Sequence, residues 1–285
     1  MSVPRSGVVD ARVVDRASLD RAESMTISTL NAADWLGNVR VSVVIPARDE
    51  AACLPHVLPR LPDWVDEVLL VDGESTDGTI EVASRLRPDI RIVMQEGRGK
   101  GAALRTGITT ATGDIIVLLD ADGSTDPGEI PAFVGALLAG ADFAKGSRFL
   151  QGAGSRDMTP IRRFGNWGFA VLANVLFQTR FSDLTYGYNA LWARNRRSLA
   201  LEIDGWPHEI ISNIRVARSG LKVVEVASFE HARVAGEAKL RLIPAAVAIL
   251  AAIAAEWFRQ RQASPARAVV AAERAAAVVA AERVA

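Results

Sequence analysis

The sequence predicts an α/β protein with a doubly wound, Rossmann-like, mostly parallel sheet flanked by helices. Two observations predict it. Short apolar runs alternate with longer helical patterns between residues 39 and 119, as in consecutive βαβ crossovers. Each apolar run also empties into polar residues: Pro46-Ala-Arg-Asp-Glu50, Asp72-Gly-Glu-Ser75, Gln95-Glu-Gly-Arg-Gly-Lys100 and Asp120-Ala-Asp122. Ligands of open parallel sheets sit beyond the carboxyl ends of the strands, so four loops are expected to converge on one rim.

Val39 to Ile45 is an apolar run stopped by Pro46, as a buried parallel strand should be. A helix is expected over Glu50–Leu61, interrupted or extended by Pro55 and Pro59. Glu67–Val71 reads as the second strand, and Ser75-Thr-Asp-Gly caps a helix reaching Leu86. Ile90–Met94, a helix over Lys100–Ala111 and the strongly apolar strand Asp114–Leu119 complete a first half, 39–127. The second half, 128–258, is expected to contain helices over Gly128–Leu138, Ile161–Phe177 and Ile210–Ser219. Its expected strands are Asp142–Gly146, Tyr186–Trp192 and Lys222–Val226. Residues 1–38 are mixed and polar without clear period, and an arm or a short helix is expected there. The tail, 259–285, repeats Val-Val-Ala-Ala-Glu-Arg at 269–274 and 278–283, a spacing that holds no coiled-coil seam.

Composition narrows the function classes. A hydrophobic share of 49% supplies a substantial core for one domain with tails. Lys plus Arg equals Asp plus Glu at 33 each, which argues against a general nucleic-acid binder. The lone Cys53 excludes an internal disulfide and a multi-cysteine zinc site. Asp10, Asp15, Asp20 and Glu23 interrupt any leader-like apolar segment, so a cytoplasmic setting is expected. Leu242–Ala255 falls short of the roughly 20 apolar residues of a spanning helix and reads as buried or interfacial.

Chemistry is expected where the loops meet. Asp120 and Asp122 leave a strand two residues apart and can turn towards one hard cation, Mg2+ or Mn2+. The bland alternative is a strand-end turn whose aspartates only cap the next segment. Gly97-Arg-Gly-Lys-Gly101 opens a helix, where backbone N–H groups and Lys100 can meet phosphate. Asp72 is placed to accept hydrogen bonds from a base or ribose, although helix capping explains a carboxylate there too.

Four runs taken together, Val43-Val-Ile-Pro-Ala-Arg-Asp-Glu50, Leu69 to Thr79, Gly99-Lys-Gly-Ala-Ala-Leu104 and Leu118-Leu-Asp-Ala-Asp-Gly123, resemble family 2 glycosyltransferases with the GT-A fold. The resemblance covers roughly residues 40–240. Gly146-Ser-Arg-Phe149, Arg162-Arg163, Asp183 to Tyr188 and Gly236-Glu-Ala-Lys239 are most similar to dolichyl- and polyprenyl-phosphate mannose and glucose synthases. The resemblance implies that Pro46, Arg48, Glu50 and Asp72 line a nucleotide pocket, and that Asp120 and Asp122 hold the metal against the diphosphate. It implies acceptor-phosphate contacts for Arg148 with Arg162 or Arg163, and a late loop carrying Arg233 and Lys239 that closes over the donor. The chain departs from the pattern at Gly73, Ser124, Asn166 and Ala238.

The expected reaction is transfer of a hexose from a nucleotide sugar, of GDP-mannose or UDP-glucose type, to polyprenyl phosphate with inversion. An acceptor phosphate needs no strong base; an acceptor hydroxyl would need one, with Glu209 or Asp183 as candidates. Two alternatives stay open: a soluble small-molecule acceptor, and a sugar nucleotidyltransferase, against which stands the missing N-terminal NTP signature. The helix from Ile161 carries Phe164, Trp167, Phe169, Leu172 and Phe177. Core packing is expected for most of them, with peripheral membrane contact as the other option.

Overall fold

The computed structural model describes residues 36–205, 207–236 and 242–262. The unit that begins at Val39 is built on a seven-stranded sheet of order β3-β2-β1-β4-β7-β5-β8. Its strands are β1 (Val41–Ala47), β2 (Glu67–Asp72), β3 (Arg91–Met94), β4 (Ile115–Leu118), β5 (Phe143–Ser147), β7 (Asn189–Trp192) and β8 (Val223–Ala227). β1 pairs in parallel with β2 and β4, and β2 with β3. β7 runs antiparallel to both β4 and β5, which makes the sheet mixed. A two-residue ladder, β6 (Gly154–Ser155) with β9 (Phe229–Glu230), lies apart from it and carries no sequence signal of its own.

The central strands are apolar on both faces because helices cover both. Val44, Leu69, Val71, Ile116 and Leu118 share a core with Ala103, Leu104 and Ile108 of α3 (Lys100–Thr110) and Val216 of α6 (Pro207–Arg218). Successive strand residues point to opposite faces, so Val43, Ile45, Leu70 and Val117 face the other way, and all are fully buried. α4 (Ile130–Leu138) lies against β5, β7, β4 and β8. There Phe133 stacks on Tyr188 with ring centroids 4.2 Å apart. Truncating one such buried side chain to alanine costs about 2–5 kcal/mol.

The expected helix over residues 50–61 is not one element. It is a four-residue α1 (Leu54–Val57) followed by a 3-10 turn, Leu58–Arg60. Pro55 and Pro59 each sit in the first turn of their element, the place where a missing N–H is harmless. α2 (Thr79–Leu86) follows the Ser75–Gly78 cap directly: Gly78 is left-handed and Asp77 accepts from the Thr79 N–H at 3.0 Å. α5 (Pro160–Phe177) is capped by the Thr159 hydroxyl. The expectation that most α5 aromatics serve the core holds for Phe177 but fails for Phe164 and Trp167, which are exposed. α7 runs Leu242–Gln262, well past both the expected end at Ala255 and the expected tail boundary at Arg259. By length and composition alone α7 is able to cross a membrane. The N-terminal arm to residue 35 and the repeat beyond 262 lie outside the described residues.

Candidate active site

The four polar loops do converge, because β1, β2, β3 and β4 are parallel neighbours whose ends share one edge. The loops after β1 and β2 are stitched together. Asp49 is left-handed at φ 52° and Glu74 at φ 62°, an unfavoured backbone for residues with a Cβ. Hydrogen bonds hold them there: Asp49 N–H donates to Ser75 Oγ at 2.9 Å, and Thr76 N–H donates to Asp49 Oδ1 at 2.8 Å. Held strain of this kind concentrates at functional loops. Asp72 is fully buried. Its Oδ2 accepts the Ser75 N–H at 2.9 Å, whereas Oδ1 has no hydrogen-bond partner among the described residues. Pro46 is half-buried and Arg48 exposed beside it.

Each aspartate of the Asp120–Asp122 pair is met by a cation from a distant segment. Lys100, in the first turn of α3, places Nζ 2.7 Å from Asp120 Oδ1 and 2.8 Å from Glu209 Oε1. Burial works against the ammonium, but Asp120 and Glu209 together outweigh it and hold its pKa above the usual lysine value. Burial also raises the Asp120 carboxyl to about 6; Lys100 opposes that shift and Asp122 adds to it. Gly187 makes room for the pair: a Cβ there would lie 2.6 Å from Glu209 Oε1 and 3.0 Å from Lys100 Nζ. The Gly187 loop is held from below by the fully buried Lys145, which donates to the carbonyls of Gly146 at 2.7 Å and Tyr186 at 2.8 Å. Burial pushes that amine down to about 8.

Asp122 faces the late loop. Arg233 Nη1 lies 3.1 Å from Asp122 Oδ2, and Nη2 pairs with Glu50. The backbone is joined here too: Val234 N–H donates to the Asp122 carbonyl at 3.1 Å, and His231 N–H to that of Ser124 at 2.8 Å. The loop is thus fastened across the mouth between β1 and β4. Lys239 lies outside the described residues.

Two expectations are corrected. Arg148 does not face an open site. Its Nε and Nη2 grip Asp183 at 2.7 and 3.0 Å, Nη1 reaches both Glu230 oxygens at 3.0 Å, and Nη2 also donates to Thr185 at 3.0 Å. All five guanidinium N–H groups are used, so none is left for an acceptor phosphate, and Asp183 is not free to act as a base. Nor is the glycine loop an open anion cradle. The Ala102 N–H donates to the Asp204 carbonyl at 3.2 Å, and the residue 203–204 backbone packs on Gly101 so closely that a Cβ would collide with it. Arg105 clamps Asp204, and the buried His208 sets Nδ1 3.0 Å from the Ala200 carbonyl, which pins this covering loop from behind. No sequence signal distinguishes Asp204, Arg105 or His208.

Of the acceptor arginines, Arg162 pairs with Asp157 at 2.7 Å. Arg163 is exposed, has no carboxylate partner among the described residues, and lies 5.5 Å over the Phe149 ring. Glu209 is nearly buried against Lys100 and is not poised as a free base.

No cluster of three metal-ligating side chains occurs among the described residues. Asp120 and Asp122 nevertheless suit Mg2+ or Mn2+, which are bound in nucleotide sites by one or two carboxylates with phosphate oxygens and water completing the shell. That each carboxylate already attracts a cationic side chain shows the local field favours positive charge.

A mostly parallel sheet with an antiparallel β7, an Asp-x-Asp turn at the end of β4 and a loop fastened over it define a GT-A glycosyltransferase. The family model for glycosyl transferase family 2 matches residues 42–200, and the chain belongs to that family. It is 31% identical over 215 residues to the undecaprenyl-phosphate mannosyltransferase of Micrococcus luteus, covering 71% of this chain and 88% of that one. It is 31% identical over 208 residues to a dolichyl-phosphate hexose transferase of Haloferax volcanii, covering 70% and 86%. Among solved structures it resembles glucosyl-3-phosphoglycerate synthase from Mycobacterium tuberculosis in complex with Mn2+, UDP and phosphoglyceric acid. The TM-score is 0.63 at 22% identity, over 79% of this chain and 80% of that one, a likeness of fold.

Proposed function

We propose that this glycosyltransferase moves a hexose from a nucleotide sugar to a polyprenyl phosphate. The observation that carries the proposal is the pairing of Asp120 with Lys100 and of Asp122 with Arg233 at one rim. Similarity to the polyprenyl-phosphate transferases of M. luteus and H. volcanii supports the acceptor.

Asp120 and Asp122 would hold Mg2+ or Mn2+, which supplies Lewis-acid neutralisation of the departing nucleoside diphosphate. Arg233 and Lys100 are then positioned to turn from the carboxylates to phosphate oxygens, the anions they are built to meet. Asp72 offers Oδ1 to an N–H or O–H of the nucleoside. The acceptor phosphate is already anionic at neutral pH, so attack on the anomeric carbon needs no protein base, in keeping with a Glu209 engaged by Lys100. Arg163, exposed near Phe149, is the cation left to steer that phosphate. The protein mainly positions the reactants and compensates charge, and in-line attack inverts the anomeric centre.

The test is donor hydrolysis and transfer with purified protein, Mn2+ or Mg2+, and a panel of GDP- and UDP-sugars, with and without a short polyprenyl phosphate. Metal-dependent release of nucleoside diphosphate that rises with the lipid supports the proposal and identifies the donor. Release indifferent to the lipid contradicts the acceptor and points to a soluble one; release of pyrophosphate from an NTP and a sugar phosphate would make the chain a nucleotidyltransferase.

A further inference from the structure

Lys145 of β5 is a fully buried charged side chain that the proposed reaction does not use. Its position lies in the interior of a sheet covered on both faces, where strand residues are normally apolar. Taking an ammonium out of water is costly unless its protons find acceptors. Two acceptors are present, and both are main-chain carbonyls: that of Gly146 at 2.7 Å and that of Tyr186 at 2.8 Å. The first belongs to the next residue of β5. The second belongs to the segment that leads from Asp183 into β7.

Two further buried donors reach the same segment. Asn189 of β7 stands opposite Lys145 in register, so both side chains leave the same face of the sheet. Asn189 donates Nδ2 to the Gly187 carbonyl at 3.1 Å, and Asn213 of α6 donates Nδ2 to the Leu184 carbonyl at 3.2 Å. Both amides are all but fully buried. Three carbonyls of residues 184–187 thus meet buried side-chain donors from three different elements. The two amides give their N–H groups at the expense of their oxygens. Asn189 Oδ1 and Asn213 Oδ1 have no hydrogen-bond partner among the described residues. Buried carbonyls do need donors, but stranding two buried oxygens to supply them is unfavourable. The arrangement is explained if the place of this segment matters beyond the fold.

The contacts of Gly187 show where it matters. Where a side chain would stand, the Lys100–Glu209 pair lies instead: a Cβ would come within 2.6 Å of Glu209 Oε1 and 3.0 Å of Lys100 Nζ. Lys100 Nζ is in turn 2.7 Å from Asp120 Oδ1. Contact is therefore unbroken from the buried donors through the Gly187 backbone to the rim of the site. Misplacing a group at such a site by about 1 Å can cost on the order of a hundredfold in rate.

We propose that Lys145, Asn189 and Asn213 are positioning residues for the donor: they fix the 184–187 segment, and Gly187 seats Lys100 and Glu209 against Asp120, where the diphosphate is received. The proposal deepens the donor reading given above and rests on it. Asn189 separates position from charge, because its substitution moves the segment's anchor and leaves every ionised group in place.

The test is calorimetric titration of the full chain with UDP and with GDP, each in excess Mn2+. The proteins are the wild type, Lys145→Met and Asn189→Leu, alone and each combined with Lys100→Met. Asn189→Leu keeps the volume and removes one hydrogen bond together with one bare oxygen, so it answers the question even if Lys145→Met does not fold. Each single variant should bind the nucleotide preferred by the wild type about tenfold more weakly. In the Lys100→Met background the same substitutions should weaken binding by less than about twofold, since the group they place is gone. Residues that act through one another are non-additive in this way. Wild-type affinity in Asn189→Leu, or a tenfold loss that persists in the Lys100→Met background, overturns the proposal, because the donors would then serve the fold alone. A wild type that binds neither nucleotide overturns the donor reading and this proposal together, so the two failures are told apart by the wild type itself.

Discussion

Arg233 Nη1 reaches across the mouth of the site to Asp122 Oδ2 at 3.1 Å, while its Nη2 holds Glu50. One guanidinium thus ties the end of β1 to the turn after β4, and it does so on the carboxylate expected to face the metal. Arg233→Ala should raise the donor KM about tenfold, the scale of one lost charge-assisted hydrogen bond. Stability should fall as well, on the order of 1–3 kcal/mol, because the change takes this partner from the buried Glu50 carboxylate. An unchanged KM with a large loss of stability would mean that Arg233 is a strut and not a donor contact.

Lys100 stands to Asp120 and Glu209 as an internal counter-ion. Lys100→Met removes it from two largely buried carboxylates and should cost on the order of 3 kcal/mol in the metal-free protein. Added Mn2+ should restore more melting temperature to this variant than it adds to the wild type, since the metal then replaces the lost charge. An equal Mn2+ increment in both proteins would argue that the metal does not bind at Asp120.

Arg148 belongs to the scaffold. Asp183 and Glu230 hold it from two separate segments, fixing the loop before β7 to β9. Arg148→Met should destabilise by about 3–5 kcal/mol, measured by urea unfolding, because it strands two buried carboxylates. Affinity for nucleoside diphosphate and Mn2+ in the folded fraction should stay as it was. A stable variant with selective loss of acceptor affinity would return Arg148 to the acceptor site.

The pairing of those residues also marks the limit of what the sequence discloses. The β1–β4 crossovers and the Asp-x-Asp turn are legible because period, apolar runs and strand-end polarity are local properties. Gly146-Ser-Arg-Phe149 resembles a site motif for the same reason: it ends a buried strand at the correct edge. What decides the role of Arg148 is contact with Asp183 and Glu230, and no local pattern encodes that. The same holds for Asp204 over the glycine loop and for the Lys100–Glu209 pair. On α5 the apolar period is plain, but a helix apolar on two faces does not say which face meets the protein. The sequence overextends α1 because its proline spacing is compatible with either one helix or two short turns.

Glu256 gives a pH signature away from the site. Hydrogen bonds from Arg259 and Arg215 outweigh burial and hold its carboxyl down at about 2, against an ordinary 4.5. A depressed carboxyl pKa adds stability above the unfolded value and loses it as pH falls through the folded one. The contribution is therefore complete above about 4.5 and fades towards pH 2. Urea melts at several pH values should show an acid limb in the wild type that is shallower in Glu256→Gln. Parallel limbs in the two proteins would place the acid sensitivity elsewhere.

Metal-assisted hexosyl transfer to a lipid phosphate at Asp120 and Asp122 is tested most directly with a radiolabelled nucleotide sugar and a short polyprenyl phosphate. Transfer would be measured for the wild type and for Asp122→Asn, with Mn2+ varied. A lipid-linked product from the wild type that requires Mn2+, and that falls on the order of a hundredfold or more in Asp122→Asn, is the predicted result. A variant that transfers as well as the wild type, or a wild type indifferent to Mn2+, would contradict it.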